Sequence, residues 1–104
     1  MEEYLGILED LPFIRGAHPT SSQRLILETP TDDFTLEIEQ KNSHLTRLAT
    51  DATLASRAGS EALWLLMAPH IGRPLVNYLV ERGINFVDRR GACHLRLGDR
   101  YIAR

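Results

Sequence analysis

The sequence predicts a small α/β domain of α+β character, a mixed sheet with flanking helices in the order α-β-β-α-β-α-β-β. Three observations lead there. A continuous apolar run over 62–68 stops at Pro69, as expected of a strand buried on both faces. After a short amphipathic stretch, Gly83 opens a second run, Ile84-Asn85-Phe86-Val87-Asp88, so the two strands read as parallel neighbours in one β-α-β unit. Upstream, 23–29 and 34–40 are rich in strand formers and flank Pro30-Thr31-Asp32-Asp33, a turn sequence, which predicts an antiparallel hairpin.

Each element has its own justification. Tyr4, Leu5, Leu8 and Leu11 recur at helical spacing until Pro12, predicting a helix over 2–11, and 16–22 reads as a loop. In the second hairpin strand, Phe34, Leu36 and Ile38 share one face while Thr35, Glu37 and Glu39 share the other. Asn42 or Ser43 is placed to cap a helix with the face Leu45, Leu48, Ala52 and Ala55, ending at Gly59. The crossover helix spans 73–82, with Pro74 in its first turn and Gly83 just past its end, and turns Leu75, Leu79 and Tyr78 toward the sheet. Strands over 84–87 and 93–97 meet at the turn Arg89-Arg90-Gly91, and a final short strand runs through Tyr101 and Ile102. Trp64 and Met67 are expected to be largely buried. Because a strand forms just where the sequence stops, the chain is expected to be a single domain excised from a longer protein that carries a DNA-binding part.

Composition narrows the class. With 104 residues, one domain with one core is expected. Hydrophobic residues make up 43% and charged residues 25%, and no apolar stretch reaches the roughly 20 residues of a membrane span. The acidic start Met1-Glu2-Glu3-Tyr4 has no secretory pattern, and Cys93 is the lone cysteine, which together predict a cytoplasmic protein without disulfides or a cysteine-bound metal. The net charge of −2 conceals an asymmetry: 5 basic and 11 acidic residues precede His70, whereas 7 basic and 3 acidic follow from it, all seven of them arginine. Arginine contacts phosphate bidentately, so Arg89, Arg90, Arg96 and Arg100 are the candidate DNA-contacting residues, with a solvated face as the other reading.

Candidate chemistry is sparse. Glu37 and Glu39 project to one side, as a Mg²⁺-dependent nuclease of the PD-(D/E)XK type requires, but that pattern also needs an acid on the preceding strand and a lysine at position 39. The preceding strand starts Ser21-Ser22-Gln23, and Lys41 lies two residues too far along. Two readings stay open, a solvated face and a metal site. The four histidines are scattered, and no serine or glycine loop carries a catalytic or phosphate motif. Asp88 ends a strand at its carboxyl edge, where open α/β sheets place ligands, and is equally suited to hold the following turn by accepting backbone N–H groups.

The stretch 65–91, from Leu65-Leu66-Met67-Ala68-Pro69-His70-Ile71 to Gly83-Ile84-Asn85-Phe86-Val87-Asp88-Arg89-Arg90-Gly91, resembles a bacterial family related to AbiEi-type antitoxins of type IV toxin-antitoxin systems. Members show a pattern like L-[LV]-V-A-P-[YH]-I, a helix, then G-[IV]-N-[YF]-[IV]-D-x-x-G-N; here Ala92 replaces the final asparagine. The resemblance implies a transcriptional regulator with a restriction-endonuclease-like domain. The missing acid and the glutamate at the lysine position imply a degenerate, non-catalytic one. It further implies DNA, or a cognate toxin or other protein, as partner, with no membrane and no cofactor unless the nuclease alternative brings Mg²⁺. A protein-interaction module is the remaining alternative. Within the motif, Pro69, Gly83, Asp88 and Gly91 have structural reasons of their own: ending a strand, starting one, and holding a turn.

Overall fold

A computed structural model describes residues 1–98 in full and the backbone of residues 100–103. Three helices, α1 (Glu2–Glu9), α2 (Arg47–Arg57) and α3 (Arg73–Glu81), accompany a sheet of seven strands. These are β1 (Gly16–Ser21), β2 (Arg24–Glu28), β3 (Asp33–Gln40), β4 (Trp64–Ala68), β5 (Asn85–Asp88), β6 (Cys93–Leu97) and β7 (Arg100–Ala103). Spatial order follows chain order. β1, β2 and β3 form an antiparallel meander, β3, β4 and β5 are parallel, and β6 and β7 return antiparallel. The fold is α+β with a mixed sheet, as expected, and the parallel pairing of β4 with β5 matches the β-α-β reading, with Leu66 beside Phe86 and Ala68 beside Asp88.

The element order is corrected at its start. Residues 16–21, expected to be a loop, are the edge strand β1, so three strands precede α2. Glycine, proline and hydroxyl residues suggested irregular chain, but an edge strand needs only one row of ladder bonds and tolerates Pro19. The register slips between Pro19 and Ser21, as a bulge beside a proline should. At the far edge, β7 contains the expected strand at Tyr101 and Ile102.

Two apolar layers sandwich the sheet. On one face Tyr4 and Leu8 of α1, with Leu11, cover Leu25, Leu27, Leu36, Ile38, Leu65, Met67, Val87 and Leu95. On the other, Leu79 of α3, with Leu45 and Ile71, covers Leu66, Ala68 and Phe86. β4 supplies alternate residues to both layers, which is why its sequence is continuously apolar. Met67 is buried as expected, whereas Trp64 begins the strand and stays partly exposed.

Helix α2 departs from its expected face and start. Its N-cap is Thr46, whose hydroxyl accepts from the Ala49 N–H at 3.1 Å, and neither Asn42 nor Ser43 serves. Thr50 and Thr53 are the buried positions, while Leu48 is 82% exposed and Ala52 and Ala55 face outward. Each buried hydroxyl donates to its own helix, Thr50 to the Thr46 carbonyl and Thr53 to that of Ala49, which leaves the methyl free to pack. Tyr78 is likewise turned from the sheet toward α2, where its hydroxyl donates to Asp51 Oδ1 at 2.8 Å. No described helix is long and apolar enough to cross a membrane.

Candidate functional site

Two polar constellations lie on the α2/α3 side of the sheet. The first is built on β3. Strand alternation turns Leu36 and Ile38 into the α1 layer and projects Glu37 and Glu39 to the opposite side, where Arg57 in the last turn of α2 meets them. The guanidinium bridges both acids: Nη1 donates to Glu37 Oε1, and Nη2 and Nε reach Glu39 Oε1 at 2.9 and 3.0 Å. It also lies 5.4 Å from the centre of the Trp64 ring, and Lys41 Nζ stands 4.0 Å from Glu39 Oε2. On the neighbouring strand, Arg24 pairs in register with Glu37. Gln23, Arg24, Glu37, Ile38, Glu39 and Arg57 line a cavity of about 270 Å³.

The acid pair is ion-paired in this arrangement. The face is not simply solvated, since Arg57 is only 16% exposed and holds both carboxylates. Mg²⁺ fits poorly, because the metal needs several free oxygens in octahedral geometry whereas a guanidinium occupies this pair and another cation stands opposite Glu37. Among the described residues no group of three or more acids, histidines and cysteines is placed to hold a metal ion. Arg57 is the residue of this constellation that sequence reasoning missed. Its signal was faint: an arginine one helical turn beyond Thr53, on the face that Thr50 and Thr53 share.

The second constellation is a cleft of about 670 Å³ at the carboxyl edge of the parallel strands, between the start of α3 and the β5–β6 turn. Asp88 builds it. The side chain is 2% exposed, and its Oδ1 accepts from the backbone N–H groups of Arg90 and Ala92 at 2.9 and 3.0 Å, while Oδ2 accepts from that of Ile71 at 3.3 Å. One carboxylate thus shapes its own turn and ties it to the loop that enters α3. Gly91 completes the turn at φ +98°, and Gly83 follows α3 at φ +68°, conformations that disfavour a side chain. Pro69 directly follows β4.

The candidate arginines are divided. Arg89 turns toward α1, with Nε 3.8 Å from Glu3 and its guanidinium 5.8 Å from the Tyr4 ring. Arg90 turns the other way, its Nη1 2.8 Å from His70 Nδ1, and lines the cleft with Arg73, His70 and Asn77. Since arginine can only donate, His70 Nδ1 is the acceptor and the imidazole proton sits on Nε2. Arg96 is exposed further along β6, on the face of its neighbour His94, which stacks on Phe86. The side chain of Arg100 lies outside the described residues. Arg89 and Arg90 therefore do not share one patch, and among the described residues the cations lining the cleft are Arg90 and Arg73.

A third group, outside the cleft, links α2 to α3. The Tyr78 ring is held between Arg47 and Arg82, whose guanidiniums lie 3.6 and 3.7 Å from its centre. Hydrogen bonding from the Tyr78 hydroxyl, and secondarily from Arg47, holds the Asp51 carboxyl below its ordinary range.

Comparisons of the chain with protein-family models, with curated proteins and with solved structures found no match.

Proposed function

We propose that this chain is a non-catalytic domain of a bacterial DNA-associated transcriptional regulator, the reading implied by its resemblance to AbiEi-type antitoxins, with a degenerate restriction-endonuclease-like core. The observation that carries it is the seat of Arg57 across Glu37 and Glu39. A nuclease of that type needs carboxylates from two adjacent strands free for Mg²⁺ and a lysine beside them to position water. β2 and β3 are adjacent as required, yet Arg24 stands opposite Glu37 and the acids already neutralise a resident cation. Removing chemistry from such a core leaves binding. The positive carboxyl-terminal third, with Arg73 and Arg90 both lining the cleft at the carboxyl edge of the sheet, supports DNA phosphate as the ligand.

The test has two arms. Plasmid DNA incubated with the protein and Mg²⁺ or Mn²⁺ is expected to show no cleavage beyond that of a Glu37→Ala control; cleavage abolished by that substitution restores the nuclease reading. Duplex DNA is expected to bind weakly and without sequence preference, with affinity falling as salt rises by about 0.9 log unit per phosphate contacted. Arg73→Ala/Arg90→Ala should reduce that slope by up to about 2, and Arg89→Ala, on the α1 side, should leave it nearly unchanged. Absence of binding at about 50 mM salt and micromolar protein overturns the DNA reading and directs the same arginines to an acidic protein partner, such as a cognate toxin.

A further inference from the structure

We infer that the cleft at the carboxyl edge of β4 and β5 is a binding site for a phosphomonoester of nucleotide size, either the 5′ end of a strand or a free mononucleotide. The inference rests on the DNA-associated reading for the nucleic-acid source and on the cleft itself for the phosphate. Arg73, Arg90 and His70 converge on one concavity of about 670 Å³, a volume within the range of small-ligand sites. Arg90 spends one nitrogen on His70, which leaves its other N–H groups without a partner among the described residues and orients the imidazole with Nε2–H as a donor. Two guanidiniums carry two positive charges, which the single negative charge of an internal phosphodiester balances only in part. They suit the three oxygens and near-double charge of a monoester.

The one acid in the lining does not oppose this. Asp88 is buried, and three backbone N–H groups surround its oxygens, so its charge is compensated from within. Gly72, the N-cap of α3, brings no capping side chain, and because Pro74 has no N–H the first turn offers only the N–H groups of Arg73 and Leu75 beside the guanidiniums. Ile71, Val76 and Ala92 give the cleft apolar wall, and Asn77 offers an amide able to donate and accept, features an isolated phosphate does not need and a nucleoside can use.

The experiment compares one short single-stranded DNA with a 5′-phosphate and the same strand with a 5′-hydroxyl, by fluorescence anisotropy on the intact chain. Adenosine 5′-monophosphate is the competitor. The phosphorylated strand is expected to bind about tenfold more tightly, the scale of one or two charge-assisted hydrogen bonds, and Arg90→Ala or Arg73→Ala should abolish the preference. Both side chains are exposed, so the variants should keep the parent's melting temperature. Competition by the mononucleotide assigns the site to free nucleotides; preference without competition assigns it to strand ends. Equal affinity for the two strands, or a preference that survives both substitutions, overturns the proposal. If that equal binding still weakens with salt, the DNA reading stands without the cleft, whereas mononucleotide binding with no affinity for duplex keeps the cleft and removes the DNA reading.

Discussion

Arg57→Ala tests the centre of the non-catalytic reading. In the folded chain its guanidinium is 16% exposed, and the Glu37 and Glu39 side chains are 34% and 28% exposed. Exposed ion pairs contribute about 0.2–1 kcal/mol and breaking a fully buried one costs about 3–5 kcal/mol, so these half-screened pairs are assigned about 1 kcal/mol each. The contact with Trp64, at 5.4 Å, adds about 0.5 kcal/mol, which brings the expected loss to about 2.5 kcal/mol. For a domain of this size that loss lowers Tm by about 10–20 °C. Part of it is repulsion between carboxylates left without their cation. Glu37→Gln should therefore destabilise the parent by about 1 kcal/mol yet stabilise the Arg57→Ala background, a non-additive double-mutant cycle. Urea unfolding with a common m-value measures all four corners. A free-energy change below about 0.5 kcal/mol for Arg57→Ala, or an additive cycle, would refute the claim that this cation closes the acid pair.

Other expectations follow from single contacts. Asp88→Ala strips three backbone N–H groups of their buried acceptor and should cost about 3 kcal/mol in urea unfolding, whereas Arg89→Ala, exposed beside Glu3, should stay within about 0.5 kcal/mol. Gly83→Ala, at φ +68° with open space around it, is strained through its backbone alone and should lose about 1 kcal/mol. Leu48→Lys should be neutral to within about 0.5 kcal/mol, because the residue is 82% exposed; a large loss would return α2 to its sequence-expected face. Tyr78→Phe removes the main hydrogen bond holding the Asp51 carboxyl down and should raise its pKa toward the ordinary value in an NMR titration. Since the folded pKa is depressed, the Asp51 contribution is present above the unfolded pKa and fades as pH falls through the folded one, so the variant and parent should converge in stability in acid.

What the sequence made legible was what the backbone and apolar periodicity dictate. The run ending at Pro69 and the one opened by Gly83 identified a buried parallel pair, because strands covered on both faces leave no polar positions to blur them. The hairpin register, with Leu36 inward and Glu37 outward, followed from simple alternation. β1 was illegible because only Ala17 of its side chains joins the core, and an edge strand is held chiefly by its neighbour's ladder. The face of α2 was misread for a different reason: counting threonine as polar and leucine as buried chose Leu48 over Thr50, although a threonine bonded to its own helix packs as a small apolar residue. Once that face turned, Arg57 turned with it, so one misassigned helix stripe hid the partner of both candidate acids. The place of Asp88 before Arg-Arg-Gly left a ligand site and a turn holder both open; its Oδ1 accepts from Arg90 and Ala92 in the turn, and its bond from Ile71 spans seventeen residues, which no local pattern reports.

The two constellations show opposite uses of acidic side chains in one sheet. Glu37 and Glu39 sit partway along β3, where α2 passes above them, so a side chain from that helix can reach down and neutralise them. Asp88 ends β5 at the carboxyl edge of the sheet, and there the carboxylate is buried and satisfied by backbone N–H groups of the loops that meet at that edge. The consequence for charge is direct. At the first place an arginine is consumed by the acids. At the second the acid is consumed by the backbone, so Arg90, two residues on, and Arg73, across the cleft, remain uncommitted to any carboxylate among the described residues. An acid held this way fixes the turn without cancelling the cations it positions, and that is why the capacity to bind an anion lies at the carboxyl edge of the sheet and not on the glutamate pair.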